Sequence, residues 1–208
     1  METKMGKLVI ARHGESEWNK LGKWTGFTDV HLTSEGLEKS KEMGTLIKDF
    51  TFDYVFDSDL IRSQETCSCI LSTCSPDCVV PVEHIKELKE RDYGDYTGKN
   101  KWDMEKTLGE AEFTRLRRGW DYPIPNGESL KMVYDRVMPC YLQKILPILK
   151  EGKNVLIVSH GNAIRALMKY IENISDNEIS NIEMPFNAIL IYDLDTQGHL
   201  VKKEVRQI

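Results

Sequence analysis

The amino-acid sequence predicts an α/β protein of three layers, α/β/α, with a mostly parallel sheet flanked by helices. Three observations predict it. Short apolar runs, β-branched or aromatic, alternate with stretches of helical periodicity, and strand followed by helix, repeated, implies parallel strands covered on both faces. The chain of 208 residues suffices for one hydrophobic core and shows no repeat, low-complexity tract or linker that would divide it, so residues 1–208 read as one domain. Two of the apolar runs end in His-Gly, where parallel sheets place ligand-binding residues, beyond the carboxyl ends of strands.

Taken in order, the first strand is expected over 7–11, ending Leu8-Val9-Ile10-Ala11. Thr33-Ser34-Glu35 is a helix start signal, and a helix is expected over 33–50. A strand over 53–56 and a helix over 60–71 follow, then a strand over 79–83. Residues 92–126 break the alternation, being rich in Gly, Tyr, Trp and charge. This insertion holds a helical stretch over 101–117 and a loop at Asp121-Tyr122-Pro123-Ile124-Pro125-Asn126-Gly127, and it suits a lid or substrate wall. A helix over 129–149, a strand over 154–159, a helix over 163–171 and a strand over 188–193 complete the pattern.

Composition narrows the function classes. With 40% hydrophobic and 29% charged residues and a formal net charge of -5, the chain reads as soluble and globular and is not built to bind nucleic acid or another polyanion. Apolar runs such as Asn154-Val155-Leu156-Ile157-Val158 are too short to cross a bilayer, and no signal segment opens the chain, so a cytoplasmic protein with no membrane partner is expected. Cys67, Cys69, Cys74 and Cys78 fit neither a zinc-ligand spacing nor a disulfide framework and read as reduced packing residues.

The chemistry points to the strand ends. The first strand runs into Arg12-His13-Gly14, and the strand over 154–159 runs into His160-Gly161-Asn162. A neutral, oriented imidazole is a good nucleophile toward phosphorus, and the covalent intermediate it forms divides one hard transfer into two easier ones. The glycine after each histidine lets a phosphate approach main-chain N–H groups. Phosphoryl transfer also needs fixed cations for the equatorial oxygens, and Arg12 and Arg62 are the clamps expected. Glu90 is the acid–base candidate for a sugar-like hydroxyl. Each residue alone has a plainer reading: a core histidine, a solvated glutamate, or a helix-end arginine pair at Arg117-Arg118. Trp18, Trp24, Trp102 and Trp120 read as packing for walls and lids. No carboxylate-rich metal cage and no Gly-rich nucleotide loop with Lys and Ser/Thr is evident.

The string Arg12-His13-Gly14-Glu15-Ser16-Glu17-Trp18-Asn19, followed by Trp24-Thr25-Gly26, resembles the opening signature of the cofactor-dependent phosphoglycerate mutases of the histidine phosphatase superfamily. The resemblance continues in order through Leu60-Ile61-Arg62-Ser63, Glu90-Arg91-Asp92-Tyr93-Gly94, Gly98-Lys99-Asn100-Lys101, Arg117-Arg118-Gly119, Asn126-Gly127-Glu128-Ser129 and Ser159-His160-Gly161-Asn162. It implies a phosphoglycerate mutase-like fold, with His13 as the phosphorylated nucleophile, Glu90 as proton donor and acceptor, His160 as a charged stabiliser and Arg12 and Arg62 holding the phosphoryl group. It also implies that Gly14, Ser16, Asn19, Thr25, Gly26, Arg91, Tyr93, Lys101, Arg117, Arg118, Gly161 and Asn162 bind substrate. By resemblance the partners are small phosphorylated three-carbon acids, 3-phosphoglycerate and 2-phosphoglycerate, with 2,3-bisphosphoglycerate as priming phosphoryl donor and no metal.

The sequence departs from that pattern in places. Only residues 119–125 separate the arginine pair from Asn126-Gly127-Glu128-Ser129, where longer family members carry an extra segment used in subunit contacts, so a short form, monomeric or weakly associated, is expected. Asp92, Phe27 and Ala163 stand where other residues are commoner, and the tail after Lys203 is too brief to promise a closing flap. Three rival functions are weighed: a phosphatase of the same superfamily acting on small phosphomonoesters, which Lys101, Arg117-Arg118 and the Glu90-to-Tyr93 string speak against; an inactive phosphate-binding module that keeps the fold, which the presence of His13, Arg12, Arg62, Glu90 and His160 speaks against; and a metal-dependent hydrolase, which predicts loss of activity with a chelator.

Overall fold

The computed structural model describes residues 5–74 and 80–208. Along the chain the elements are β1 (Leu8–Arg12), α1 (Glu17–Lys20), α2 (Ser34–Thr45), β2 (Tyr54–Asp57), α3 (Ile61–Cys74), β3 (Val82–His84), α4 (Lys101–Leu108) and α5 (Glu110–Arg118). They continue with α6 (Leu130–Cys140), α7 (Leu146–Lys150), β4 (Val155–Ser159), α8 (Gly161–Ile171), β5 (Ala188–Leu194) and β6 (Leu200–Gln207). The strands form one sheet in the order β3-β2-β4-β1-β5-β6. β1 lies parallel to β4, β4 to β2 and β2 to β3, while β5 runs antiparallel to both β1 and β6. The expected parallel core is present, with an antiparallel hairpin added at one edge.

The three layers follow from the strand period of two. In β1, Leu8 and Ile10 join a core with Val155 and Ile157 of β4, under α6, α7 and α8. Val9 and Ala11 point to the opposite face and join Leu156 and Val158 under α2 and α3. Both faces of the central strands are therefore dry, and each fully buried aliphatic side chain there contributes roughly 1.5–3 kcal/mol.

Helix ends differ from the sequence expectation where a local residue decides. Thr33 caps α2 by accepting from the Gly36 N–H at 2.9 Å, as its start signal predicts, but the helix stops at Thr45 and turns toward β2. The stretch expected over 101–117 is two helices, because Gly109 takes φ +79°, a left-handed conformation that ends α4 and starts α5. The helix expected over 129–149 passes through a π-helical turn at Tyr141–Ile145. Pro139 in α6 has no N–H to donate to the preceding turn, and a widened turn follows it. Pro147 sits in the first turn of α7, where a missing N–H costs nothing.

At the other edge, the strand expected over 79–83 is observed from Val82; Val79, like Cys78, lies outside the described residues. Cys67 and Cys74 pack among the buried residues of the α2–α3 face. β6 (Leu200–Gln207) is not expected from the sequence, where 188–193 is the last strand; it is rich in charge, with Lys202, Lys203, Glu204 and Arg206. Charge is how an edge strand avoids further pairing. The tail lies in the sheet, where Lys203 pairs with Glu172 at 2.8 Å and Arg206 with Asp49 at 2.6 Å.

Residues of the insertion build a small core around Trp24. Trp24, Phe113, Leu116 and Ile124 pack together, and Trp24 stacks on Tyr93 with ring centroids 5.6 Å apart. This cluster fixes α5 against the loop that follows α1. The wall carrying Lys101, Arg117 and Arg118 is therefore held in place from within.

Candidate active site

Because β1 and β4 pair in parallel with Arg12 opposite Ser159, both His-Gly dipeptides leave the sheet side by side. The His13 N–H donates to the Ser159 carbonyl at 2.9 Å, and the two imidazole centroids are 4.9 Å apart. Both rings are buried.

The hydrogen bonds of His13 settle its tautomer. Nδ1 lies 2.7 Å from the Gly14 carbonyl, which can only accept, so Nδ1 carries the proton and Nε2 keeps its lone pair. Burial, then the charges of Arg62 and Arg12, hold this imidazole well below its usual pKa, so it is neutral near pH 7. A neutral imidazole with a free, aimed lone pair is the form that attacks phosphorus. Gly14 makes this possible through its backbone. Its N–H donates to Thr66 Oγ1 at 2.9 Å, and a Cβ on it would lie 2.7 Å from the Gly36 carbonyl oxygen, so the carbonyl that orients His13 is fixed by close packing.

His160 is held from its far side. Its Nε2 lies 2.7 Å from Ser58 Oγ, which also accepts from the Leu60 N–H at 3.3 Å. The hydroxyl proton of Ser58 is satisfied only if it is donated to Nε2, which leaves the proton of His160 on Nδ1. That Nδ1 is buried and has no partner among the described residues. Burial, Arg62, His13 and Arg12 push His160 well below its usual pKa, so the protein's own groups favour a neutral ring where the resemblance implies a charged one. A phosphoryl dianion beside Nδ1 acts in the opposite direction.

Two arginines flank the pair. Arg62 donates to the Gly26 carbonyl at 2.9 Å and to the Thr28 carbonyl at 3.0 Å, and Arg12 donates to the Met184 carbonyl at 2.8 Å. Each also has a buried Nε without a partner among the described residues. Buried orphan donors cost about 1–3 kcal/mol each, and a cluster of them around one imidazole is a preorganised anion site. Burial lowers Arg62 to about 10, which still leaves it cationic at neutral pH.

Glu90 is buried beside this cluster. Its Oε1 accepts from the Arg91 N–H at 2.7 Å, the Asn162 N–H at 3.1 Å and Asn162 Nδ2 at 3.0 Å. Burial alone raises its pKa, but those hydrogen bonds, with Arg12 and Arg62, outweigh burial and bring it below the usual glutamate value. Glu90 is thus ionised at rest and able to take a proton.

The pocket is lined by Arg12, His13, Arg62, Glu90, Asn19, Thr25, Tyr93, Lys101, Arg117, Arg118, Gly161 and Asn162, all expected from the sequence. Gly14, Ser16, Gly26 and Arg91, expected to bind substrate, and His160, expected to be catalytic, are not among its lining residues; His160 packs against the lining residue His13. Ser16 caps α1 in a reciprocal box with Asn19, Gly26 gives its carbonyl to Arg62, and Arg91 is fully buried with Nη2 on the Leu116 and Arg117 carbonyls. Gly14, Ser16, Gly26 and Arg91 each hydrogen-bond a lining residue: His13, Asn19, Arg62 and Arg117 in turn. Trp24, Arg165, Glu183 and Met184 line the pocket without having been singled out as site residues. Arg165 had a signal: a buried arginine in the otherwise apolar run Ala163-Ile164-Arg165-Ala166-Leu167, three residues after Asn162, whose Oδ1 it contacts at 3.0 Å. Among the described residues there is no group of three or more His, Cys, Asp or Glu that could hold a metal ion.

Comparison with known proteins agrees with this geometry. Residues 8–205 match the family model described as histidine phosphatase superfamily (branch 1). The chain is 40% identical over 200 residues to the 2,3-bisphosphoglycerate-dependent phosphoglycerate mutase of Parvibaculum lavamentivorans, covering 95% of each. It is 38% identical over 226 residues to the mutase of the same name from Streptococcus sanguinis, covering 96% of this chain and 98% of that one. Among solved structures, the alpha-ribazole phosphatase of Shigella flexneri superposes with a TM-score of 0.77 at 27% identity, covering 97% of this chain and 95% of the other.

Proposed function

The chain belongs to the histidine phosphatase superfamily, and from that premise we propose that it interconverts 3-phosphoglycerate and 2-phosphoglycerate through a phosphohistidine on His13. The observation that carries the reading is that one pocket is lined by Arg12 and Arg62 with His13 and also by Lys101, Arg117 and Arg118. A phosphatase needs only the first set. A small acid with an anion at each end uses both.

In this mechanism 2,3-bisphosphoglycerate supplies the first phosphoryl group. Nε2 of His13 takes it in line, and Arg12, Arg62 and the Nδ1–H of His160 hold the equatorial oxygens as charge develops. When 3-phosphoglycerate binds, its 2-hydroxyl attacks the phosphorus as Glu90 takes the hydroxyl proton, and the P–N bond to His13 breaks. The resulting bisphosphate turns in the pocket, and His13 attacks its other phosphoryl group. Glu90 returns the proton to the departing oxygen, giving 2-phosphoglycerate. The phosphorylated intermediates survive only if water is kept out, and residues 92–126, braced by the Trp24 cluster, are the proposed closing wall.

The same reading extends to location and assembly. We propose a cytoplasmic, monomeric or weakly associated enzyme: no helix among the described residues is long and apolar enough to cross a membrane. The alignment to the Streptococcus relative is longer than this 208-residue chain, so that relative carries inserted residues which this short form lacks.

The test is an assay of chelator-treated protein with 3-phosphoglycerate, with and without a trace of 2,3-bisphosphoglycerate, following 2-phosphoglycerate and free phosphate together. Primer-dependent 2-phosphoglycerate is expected. Free phosphate without isomerisation would move the protein to the phosphatase branch.

A pH dependence follows from Lys101. Burial, then Arg117 and Arg12, lower its pKa to about 8, so its charge is present below that pH and is lost as pH rises through it. kcat/KM reports groups of the free enzyme. It is therefore expected to fall above pH 8 in the wild type, and Lys101→Arg is expected to remove that fall. An alkaline limb left unchanged by Lys101→Arg would take Lys101 out of substrate binding.

A further inference from the structure

The segment leading into β5 meets two of the pocket's arginines. The Met184 carbonyl accepts from Arg12, the Phe186 ring centroid lies 3.6 Å from the Arg12 guanidinium carbon, and the Glu183 carboxylate pairs with Arg118 Nη2 at 2.9 Å. The first two contacts hold a clamp in place. The third sets an acid in a pocket otherwise dominated by cations.

Resting on the mutase reading above, we infer that Glu183 is a specificity-determining residue: its carboxylate is an internal anion that occupies Arg118 and must be displaced by the distal anionic group of the substrate. Glu90, the other acid lining the pocket, is buried and held by three hydrogen bonds. Glu183 differs, because its side chain is 56% exposed and can swing away from Arg118 into water. An ion pair so exposed contributes little to folding. The helix end that carries Arg118 does not depend on the pair for position, since the Arg118 backbone carbonyl accepts from Arg165 Nη2 at 2.8 Å, anchoring α5 to α8. With both side chains lining the pocket and Glu183 exposed, the Arg118 guanidinium can exchange one anion for another without loss of the helix end that carries it.

Two consequences distinguish this role from a structural one. An internal competitor weakens ligand binding, so removing its charge tightens binding, whereas removing a positioning residue loosens it. The repulsion from Glu183 also grows with ligand charge, so it bears harder on 2,3-bisphosphoglycerate than on 3-phosphoglycerate. Glu183 would then help the pocket release a bisphosphate that its cations otherwise hold too firmly.

The experiment is equilibrium binding of 3-phosphoglycerate and 2,3-bisphosphoglycerate to unprimed, chelator-treated protein. The proteins compared are wild type, Glu183→Gln, Arg118→Gln and the double variant, at low and high salt. Glu183→Gln keeps the shape and the hydrogen bond to Arg118 while removing the charge. Affinity is expected to rise about three- to tenfold, more for the bisphosphate, to shrink with salt, and to vanish in the Arg118→Gln background. Unchanged or weaker binding in Glu183→Gln, with wild-type binding intact, overturns the inference and leaves the mutase reading standing. Wild-type protein that binds neither acid overturns both.

Discussion

His13→Ala is expected to lose at least about four orders of magnitude in turnover of 3-phosphoglycerate, because no other group offers a lone pair to phosphorus at that position. The neighbouring imidazole does not substitute for it, since Nε2 of His160 is tied to Ser58 and its Nδ1 carries the proton. The variant is expected to fold. It loses one hydrogen bond to the Gly14 carbonyl, worth about 1 kcal/mol, and relieves the crowding of a buried ring by Arg12 and Arg62. Labelling makes the distinction sharp. Wild-type protein given 2,3-bisphosphoglycerate with radioactive phosphorus should carry an acid-labile, base-stable label, and His13→Ala should carry none while keeping its urea midpoint near that of the wild type. A labelled His13→Ala protein would show that the phosphoryl group resides on another residue.

The ease with which His13 and His160 can be picked out of the sequence has a physical basis. Each ends a run of apolar β-branched residues, and a central strand in a doubly covered sheet leaves few other sequences possible before the chain emerges at its carboxyl edge. Arg62, Glu90, Lys101 and the arginine pair are identified by motif, and the fold brings all of them to one pocket. Gly14, Ser16, Gly26 and Arg91 belong to the same motif strings yet bond to lining residues rather than line the pocket, since a string records what shapes a loop as well as what faces the pocket. Glu183 and Met184 lie in no such string. They reach the pocket only because β5 pairs antiparallel with β1 and delivers the residues before it to the edge where His13 emerges, a placement that local pattern does not carry. β6 is illegible for a related reason. Its partner covers one side only, so selection for an apolar period is weak and selection against edge pairing fills it with charge.

Glu90→Gln is expected to lower kcat by roughly 10²- to 10⁴-fold with little change in KM for 3-phosphoglycerate. The amide oxygen of glutamine can keep the bonds from the Arg91 N–H and from Asn162, so the geometry is preserved and what is removed is the site that takes the hydroxyl proton. The sign of the pH dependence follows from the same environment. Burial opposes ionisation, but the hydrogen bonds, with Arg12 and Arg62, win, so the carboxylate persists to lower pH than an ordinary glutamate and is lost only as pH falls through its depressed pKa. The acidic limb of kcat/KM in the wild type is therefore expected below the usual glutamate value, and Glu90→Gln is expected to show no such limb. Stability separates this from a structural role. Removing a buried negative charge between two arginines is expected to cost about 1–3 kcal/mol in urea unfolding, but a folded Glu90→Gln protein remains slow at every pH. Restoring full stability with substrate or salt should not restore the rate, because the missing step is proton transfer. A Glu90→Gln enzyme with near wild-type kcat would mean that another group receives the proton and that Glu90 acts only to balance the charge of Arg12 and Arg62.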